Sequence, residues 1–198
     1  MNYLAHLWLS EQAGLPLPGA ILGDMVRGRL DGRFPPELER SIALHRRIDV
    51  VTDSHPLVIA ARSRYAPGAR RYAGIVLDIV HDHCLALDWP RYSEESLANF
   101  SRRAADALAA EREGFDLAGK SVPSAWRFRR LLLSYAGESG IDRAIRRTAM
   151  WMKKPEGLIE AGQDWREHLP QVQAMLPQLL ADLRLAALEF AKEPAQRP

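Results

Sequence analysis

The run "AGIVLDIVHDHCLALDW" (residues 73–89) constrains the fold of this chain more than any other stretch. Between Gly74 and Pro90 it contains neither Gly nor Pro. At about 100° per residue, Val76, Ile79, Val80 and Leu87 gather on one side of a helix. His83 falls in the middle of that apolar stripe, Asp82 at its edge and Asp78 slightly beyond, whereas His81 points well away. Asp78 and Asp82 form an i,i+4 pair of like charges, which costs an isolated helix a few tenths of a kcal/mol. Burying either carboxylate without a partner costs far more. A bound cation reverses the sign, because neighbouring anions then become favourable.

A second helix repeats the pattern. In "LERSIALHRRIDVVTD" (residues 38–53), Leu38 and Ile42 define a stripe on which His45 and Asp49 fall, with Asp53 at its edge. Arg46 lies beside the stripe and Arg47 points away from it. Asp53 also suits a turn, or a cap for a helix beginning at Pro56. Asp24 in "ILGDMVRG" stands among Ile21, Leu22, Met25 and Val26, and His6 among Leu4, Leu7, Trp8 and Leu9. A single inward histidine is commonly satisfied within the core, which is the plain reading of His6. Five such groups, Asp24, His45, Asp49, Asp82 and His83, need a compensating centre. Oxygen and nitrogen donors from several helices suit Mn²⁺, Mg²⁺, Fe²⁺ or Zn²⁺. Cys84 is the only cysteine, so a cysteine-rich zinc site and an internal disulfide are both excluded.

The rest of the sequence is helical in period, and no alternating strand is found. Helices are expected over about 2–12, from "GLPLPG" to about residue 29, over 36–53, from Pro56 to "APG", and over 69–88. Others follow over 94–112 (capped by Ser93), 123–137, 140–152 and 156–192, the last kinked or broken at Pro170. The tail "KEPAQRP" is expected to fray. The expected fold is one all-α domain, 1–198, a single-domain helical bundle. There is no leader-like segment and no run of about 18 apolar residues, so a cytoplasmic protein without membrane contact is expected. A net charge of +2 gives no case for nucleic acid. Its distribution is uneven, with clusters at Arg46/Arg47, Arg62/Arg64, Arg70/Arg71, Arg127/Arg129/Arg130, Arg143/Arg146/Arg147 and Lys153/Lys154. Such clusters are ordinarily solvated helix surface, and they also suit an acidic partner.

Four segments in order, "MNYLAHLWLS", "GAILGDMVRG", "LHRRIDVVTDSHP" and "LDIVHDHCLALDW", resemble the signatures of the acyl carrier protein phosphodiesterase family. The resemblance covers roughly residues 1–90. It implies a fold similar to the HD-type metal phosphohydrolases in a divergent form. It also implies hydrolysis of the phosphodiester joining 4′-phosphopantetheine to a serine of holo-acyl carrier protein, with Mn²⁺ the expected metal and Mg²⁺ or another divalent ion its substitute. HD enzymes place His directly before Asp, an order found here at His81-Asp82 and reversed at Asp82-His83; the helical phase favours Asp82 and His83. The expected metal ligands are Asp24, His45, Asp49, Asp82 and His83. Asp78 is added to the catalytic set, with His6 and Asp53 supporting ligands or water from behind. Arg27 and Arg46 are the expected phosphate contacts. Alternative readings are an HD-type hydrolase of a nucleotide or other small phosphodiester, and a non-catalytic helical binding module with a buried polar network.

Overall fold

Proline sets several of the helix starts. In the computed structural model, which describes residues 1–194, the N-terminal half folds as α1 (Tyr3–Gln12), α2 (Leu17–Met25), α3 (Pro36–Ser54), α4 (Pro56–Ser63) and α5 (Arg70–Leu87). Pro18, Pro36 and Pro56 occupy the first turns of α2, α3 and α4, where the missing N–H forfeits no helical bond. A 3₁₀ turn (Trp89–Arg91) leads to α6 (Leu97–Ala110), α7 (Arg112–Leu117), α8 (Ala125–Ser134), α9 (Glu138–Ala149), α10 (Pro155–Ala161) and α11 (Trp165–Lys192). No strand occurs among the described residues, and none of their helices is long and apolar enough to cross a membrane. The expected all-α fold is therefore found. The last part of the tail, residues 195–198, lies outside the described residues.

Several helix ends differ from expectation for identifiable reasons. α2 stops at Met25, because Val26 is extended, Gly28 has φ +82°, and the Arg46 guanidinium binds the carbonyls of Val26 and Gly28, each at 2.8 Å. Ser96 caps α6 by accepting from the Asn99 N–H, while the Ser93 hydroxyl serves Glu95. Glu111 then breaks the helix and starts α7, its carboxylate accepting from the Gly114 N–H. The last helical region divides at residues 162–164, not at Pro170, so α10 and α11 are separate. α11 runs through Pro170 and Pro177. Pro170 lies on an exposed face, where the carbonyl it leaves unpaired can meet water.

α5 is the axis of the bundle. It packs against α1, α4, α9, α10 and α11, and 13 of its residues are buried. Between Tyr72 and Ala86 only Ile75 and Asp78 are less than buried, so angular phase sorts little of this helix into inward and outward residues. His81, expected to point away from the core, is fully buried, and neither ring nitrogen has a hydrogen-bond partner. Burial lowers its pKa to about 4, against the pull of Asp78 and with the Met1 ammonium and Arg62 assisting.

Asp82 is also fully buried, and its two carboxylate oxygens accept from the backbone N–H groups of Leu4 (2.7 Å) and Ala5 (3.0 Å). Asn2, the residue preceding α1, makes no side-chain cap. Asp82 caps α1 from another helix, saturating two of the N–H groups that a helix start leaves without partners. α11 closes the bundle by packing on α1, α3, α4 and α5. Arg40 of α3 grips its far end through the carbonyls of Phe190 and Ala191 (3.1 and 2.6 Å), and His55 at the start of α4 reaches Asp182 at 3.2 Å.

Replacing Asp82 with Ala should lower folding stability by about 2 kcal/mol in denaturant unfolding, since it removes the cap of a buried helix. Asp82→Asn keeps one acceptor oxygen and should recover part of the loss; equal stability of all three proteins would rule out the capping role. His81 supplies a pH test. Its folded pKa of about 4 lies below the ordinary value of 6.5. Its contribution to stability is thus complete above about pH 6.5 and is lost, to the extent of about 3 kcal/mol, as pH falls through 4. His81→Leu should flatten that part of the stability–pH curve; an unchanged acid limb would contradict the assignment.

Candidate functional site

The site forms where α1, α2 and α3 meet. α2 lies close along α3 because Gly23 faces the His45 ring, and a Cβ there would overlap it. His45 Nδ1 is 2.7 Å from the Ala20 carbonyl. A carbonyl only accepts, so Nδ1 carries the hydrogen and donates. That bond aims Nε2 at two carboxylates, Asp49 on the same helix at 3.2 Å and Asp24 near the end of α2 at 3.4 Å. The His6 ring stacks on His45, with centroids 3.9 Å apart and planes inclined by 21°, and its Nε2 is 3.0 Å from the other oxygen of Asp49. Asp49 thus holds one imidazole on each oxygen. Donor atoms of His6, His45 and Asp49 lie within 4.8 Å of one another, the one such group among the described residues that could hold a metal ion.

The electrostatics of the group are unequal. Burial opposes charge on His45, but the hydrogen bonds to Asp24 and Asp49 and their negative charge outweigh it, raising the pKa to about 9. Burial dominates at His6 and lowers its pKa to about 4, despite the bond to Asp49. Asp49 is also penalised by burial, yet the His45 and His6 bonds hold its carboxyl far below the usual carboxylate range. With Nδ1–H committed to Ala20, a neutral His45 would point the Nε2 lone pair at two carboxylates. That arrangement is repulsive unless a proton or a metal cation stands between them.

Beside this group opens a cleft of about 280 Å³ into which Asp24, Asp49, Asp53, Asp78, Arg62 and Arg71 project. Arg62 of α4 binds Asp53 at 2.9 Å. Gly74 of α5 makes room for that guanidinium, which a Cβ would overlap. The Met1 ammonium also lines the cleft, 2.9 Å from Asp78 and 4.0 Å from Asp49. Burial opposes its charge, but pairing with Asp78 raises its pKa overall.

Of the residues singled out in the sequence, the structure brings together Asp24, His45 and Asp49 with His6, and places Asp53 and Asp78 in the adjoining cleft. It does not bring Asp82 and His83 to this group. Asp82 spends both oxygens on α1. Burial pushes its carboxyl up to about 7 in spite of the two N–H donors. His83 turns to the other side of α5, donating from Nδ1 to the Tyr135 carbonyl at 2.6 Å and meeting Trp165 edge-on. Arg46 is committed to the loop after α2, and the exposed Arg27 does not line the cleft. The α4 cap is His55, whose Nδ1 accepts from the Leu57 N–H, and not Asp53. The cleft arginines, Arg62 and Arg71, were legible only as members of basic clusters. The acid and base of Asp53 and Arg62, flanking the turn at Pro56, were the available signal.

Comparison with known proteins gives a consistent result. The family described as acyl carrier protein phosphodiesterase matches residues 1–183. A Photorhabdus laumondii protein of that name is 43% identical over 106 residues, covering 52% of this chain and 54% of its own. One from Yersinia pestis is 47% identical over 89 residues, covering 45% of this chain and 46% of its own. In these two alignments the chain spans about half the length of the relative. One from Klebsiella pneumoniae is 34% identical over 180 residues, 87% of this chain and 90% of the relative. No solved structure matches the chain.

Proposed function

We propose that this chain, which belongs to the acyl carrier protein phosphodiesterase family across residues 1–183, hydrolyses the phosphodiester between 4′-phosphopantetheine and a serine of holo-acyl carrier protein. The products are the apo-protein and 4′-phosphopantetheine. The observation that carries this reading is the pairing of two imidazole Nε2 atoms with the two oxygens of Asp49, beside a cleft holding two guanidinium groups.

The donor set fits a divalent cation. His6, His45 and Asp49 would hold it, and Asp24 stands close enough to His45 to add an oxygen. The His45 Nδ1–H bond to Ala20 is the kind of outer contact that fixes a ligand's tautomer. Binding would displace the Nε2 protons of both rings. A mixed nitrogen and oxygen set suits Mn²⁺, with Mg²⁺ a weaker match for the imidazoles. A bound cation supplies hydroxide near neutral pH and offsets charge on the phosphoryl oxygens.

The residues of the cleft divide the remaining work. Arg62 and Arg71 can grasp the non-bridging phosphoryl oxygens, a task for which a planar guanidinium is well shaped. Asp53 holds Arg62 in place. Asp78 projects into the cleft, where it can accept a hydrogen bond from the attacking water. Asp82 and His83 act on this reading through the placement of helices and not by contact with substrate. An HD-type hydrolase of nucleotides would use the same groups, and family membership favours the carrier protein. The reaction belongs in the cytoplasm, in keeping with a buried, unpaired Cys84.

Mass spectrometry of holo-acyl carrier protein incubated with the purified chain and Mn²⁺ should show loss of the prosthetic group. Chelator, His6→Ala and His45→Ala should each abolish it, whereas His83→Ala should retain cation-dependent cleavage. Cleavage that survives chelator would overturn the metal reading. Cleavage of nucleotide phosphodiesters alone would overturn the substrate.

A further inference from the structure

We infer that the corner between α9 and α10 is the docking surface for an acidic carrier protein, with Trp151 as its apolar anchor. The inference rests on the proposed activity for the identity of the partner and on separate observations for the surface. Trp151 is 89% exposed and Met150 82%, the two most exposed large apolar side chains among the described residues. An exposed Trp at a corner is costly in water and is the side-chain type most often found at the energetic centre of a protein interface.

The surroundings of Trp151 select the sign of the partner. Arg146 and Arg147 end α9 and Lys153 and Lys154 lead into α10, all four exposed. Residues 141–155 contain five cations and a single carboxylate, Asp142, which is engaged by Arg166 and the Trp165 indole. Among the described residues, none of these five cations lies within ion-pair distance of a carboxylate, in contrast to Arg62, Arg103 and Arg166. The other well-exposed tryptophan, Trp126, already has the Arg130 guanidinium over its ring at 4.6 Å, and among the described residues no cation stacks on Trp151.

The two helices that form the corner both pack on α5, which carries Arg71 and Asp78 to the cleft. α10 packs on α5 where Gly157 meets the Tyr72 ring so closely that a Cβ would overlap it, and Tyr72 follows the cleft residue Arg71. On the other side, Tyr3 lies within the fields of both Asp24 and Arg147: burial raises its phenol, Asp24 adds to the rise and Arg147 opposes it. A protein seated here presents a modified serine toward the cleft, whereas a membrane surface has no group to deliver to it. Opposite charge across the contact would speed encounter and fix orientation.

The test uses the full chain and fluorescently labelled holo-acyl carrier protein, with binding followed by anisotropy and cleavage by mass spectrometry. Trp151→Ala and the double variant Lys153→Glu/Lys154→Glu should each raise Kd and KM at least about tenfold. kcat should be unchanged, as should turnover of a small phosphodiester such as bis(p-nitrophenyl) phosphate, since these side chains lie outside the bond-breaking site. The charge variant should also flatten the fall of kcat/KM with salt. Binding that weakens in both variants even though the wild type does not cleave the carrier protein would support the docking surface and count against the proposed reaction alone. Cleavage with wild-type KM in both variants would overturn the docking surface alone. Loss of binding to anionic phospholipid vesicles with carrier-protein affinity unchanged would overturn it in favour of a membrane contact.

Discussion

The hydrogen bonds from the first turn of α1 to Asp82 are the interaction on which the rest of the site depends. α1 is buried over seven of its ten residues and apolar nearly all round. Burial alone therefore gives it little preference for one rotation about its axis. Two backbone N–H groups held by one carboxylate on α5 provide that preference. Once Leu4 and Ala5 are fixed, the next residue, His6, is directed at α3, where it stacks on His45 and meets Asp49. Polar contacts in a core contribute more to uniqueness than to net stability in some systems, and α1 is a case in which uniqueness is what the site needs.

The histidine–carboxylate group shows how close approach and charge depend on each other. Glycines at 23 and 74 remove the Cβ atoms that would separate α2 from His45 and α5 from Arg62. The narrow spacing brings four carboxylates into one cleft, an arrangement that would repel itself without positive charge among them. His45, the Met1 ammonium, Arg62 and Arg71 supply that charge from four separate segments. The cleft is thus charged but not uniformly acidic, with a metal-fitting end at Asp49 and a guanidinium end at Arg62 and Arg71.

The legibility of the sequence followed exposure. α3 has a wet side, with Arg47 and Val50 exposed, so its apolar stripe and the inward His45 and Asp49 could be read from period alone. α5 has only a narrow strip along Arg71, Ile75 and Asp78, and the same reading places His81 outside, where it is buried, and groups Asp82 and His83 with His45, from which the structure separates them. Residue type correctly indicated that Asp82 and His83 required partners. Which partner each took, a helix start for Asp82 and the Tyr135 carbonyl for His83, depended on contacts 78 and 52 residues away in the chain. The all-α fold and most helix positions were legible because proline starts and apolar period are local signals. The Glu111 break and the continuous passage of α11 through Pro170 were not, because the first turns on one residue's conformation and the second on which way a lone carbonyl faces.

The closing role of α11 has a consequence for the order in which the molecule is made. The cleft is lined by Met1 and by residues of α2 to α5, yet α11 packs on α1, α3, α4 and α5 to close the bundle. During synthesis the first five helices leave the ribosome with an apolar wall still missing, and the far end of α11, which Arg40 grips, emerges long after them. Contacts spanning most of the chain slow the final closure, and exposed surface at that stage invites association with other chains. A nascent chain stalled before α11 would hold every chemical group of the cleft and lack the wall that keeps them in register.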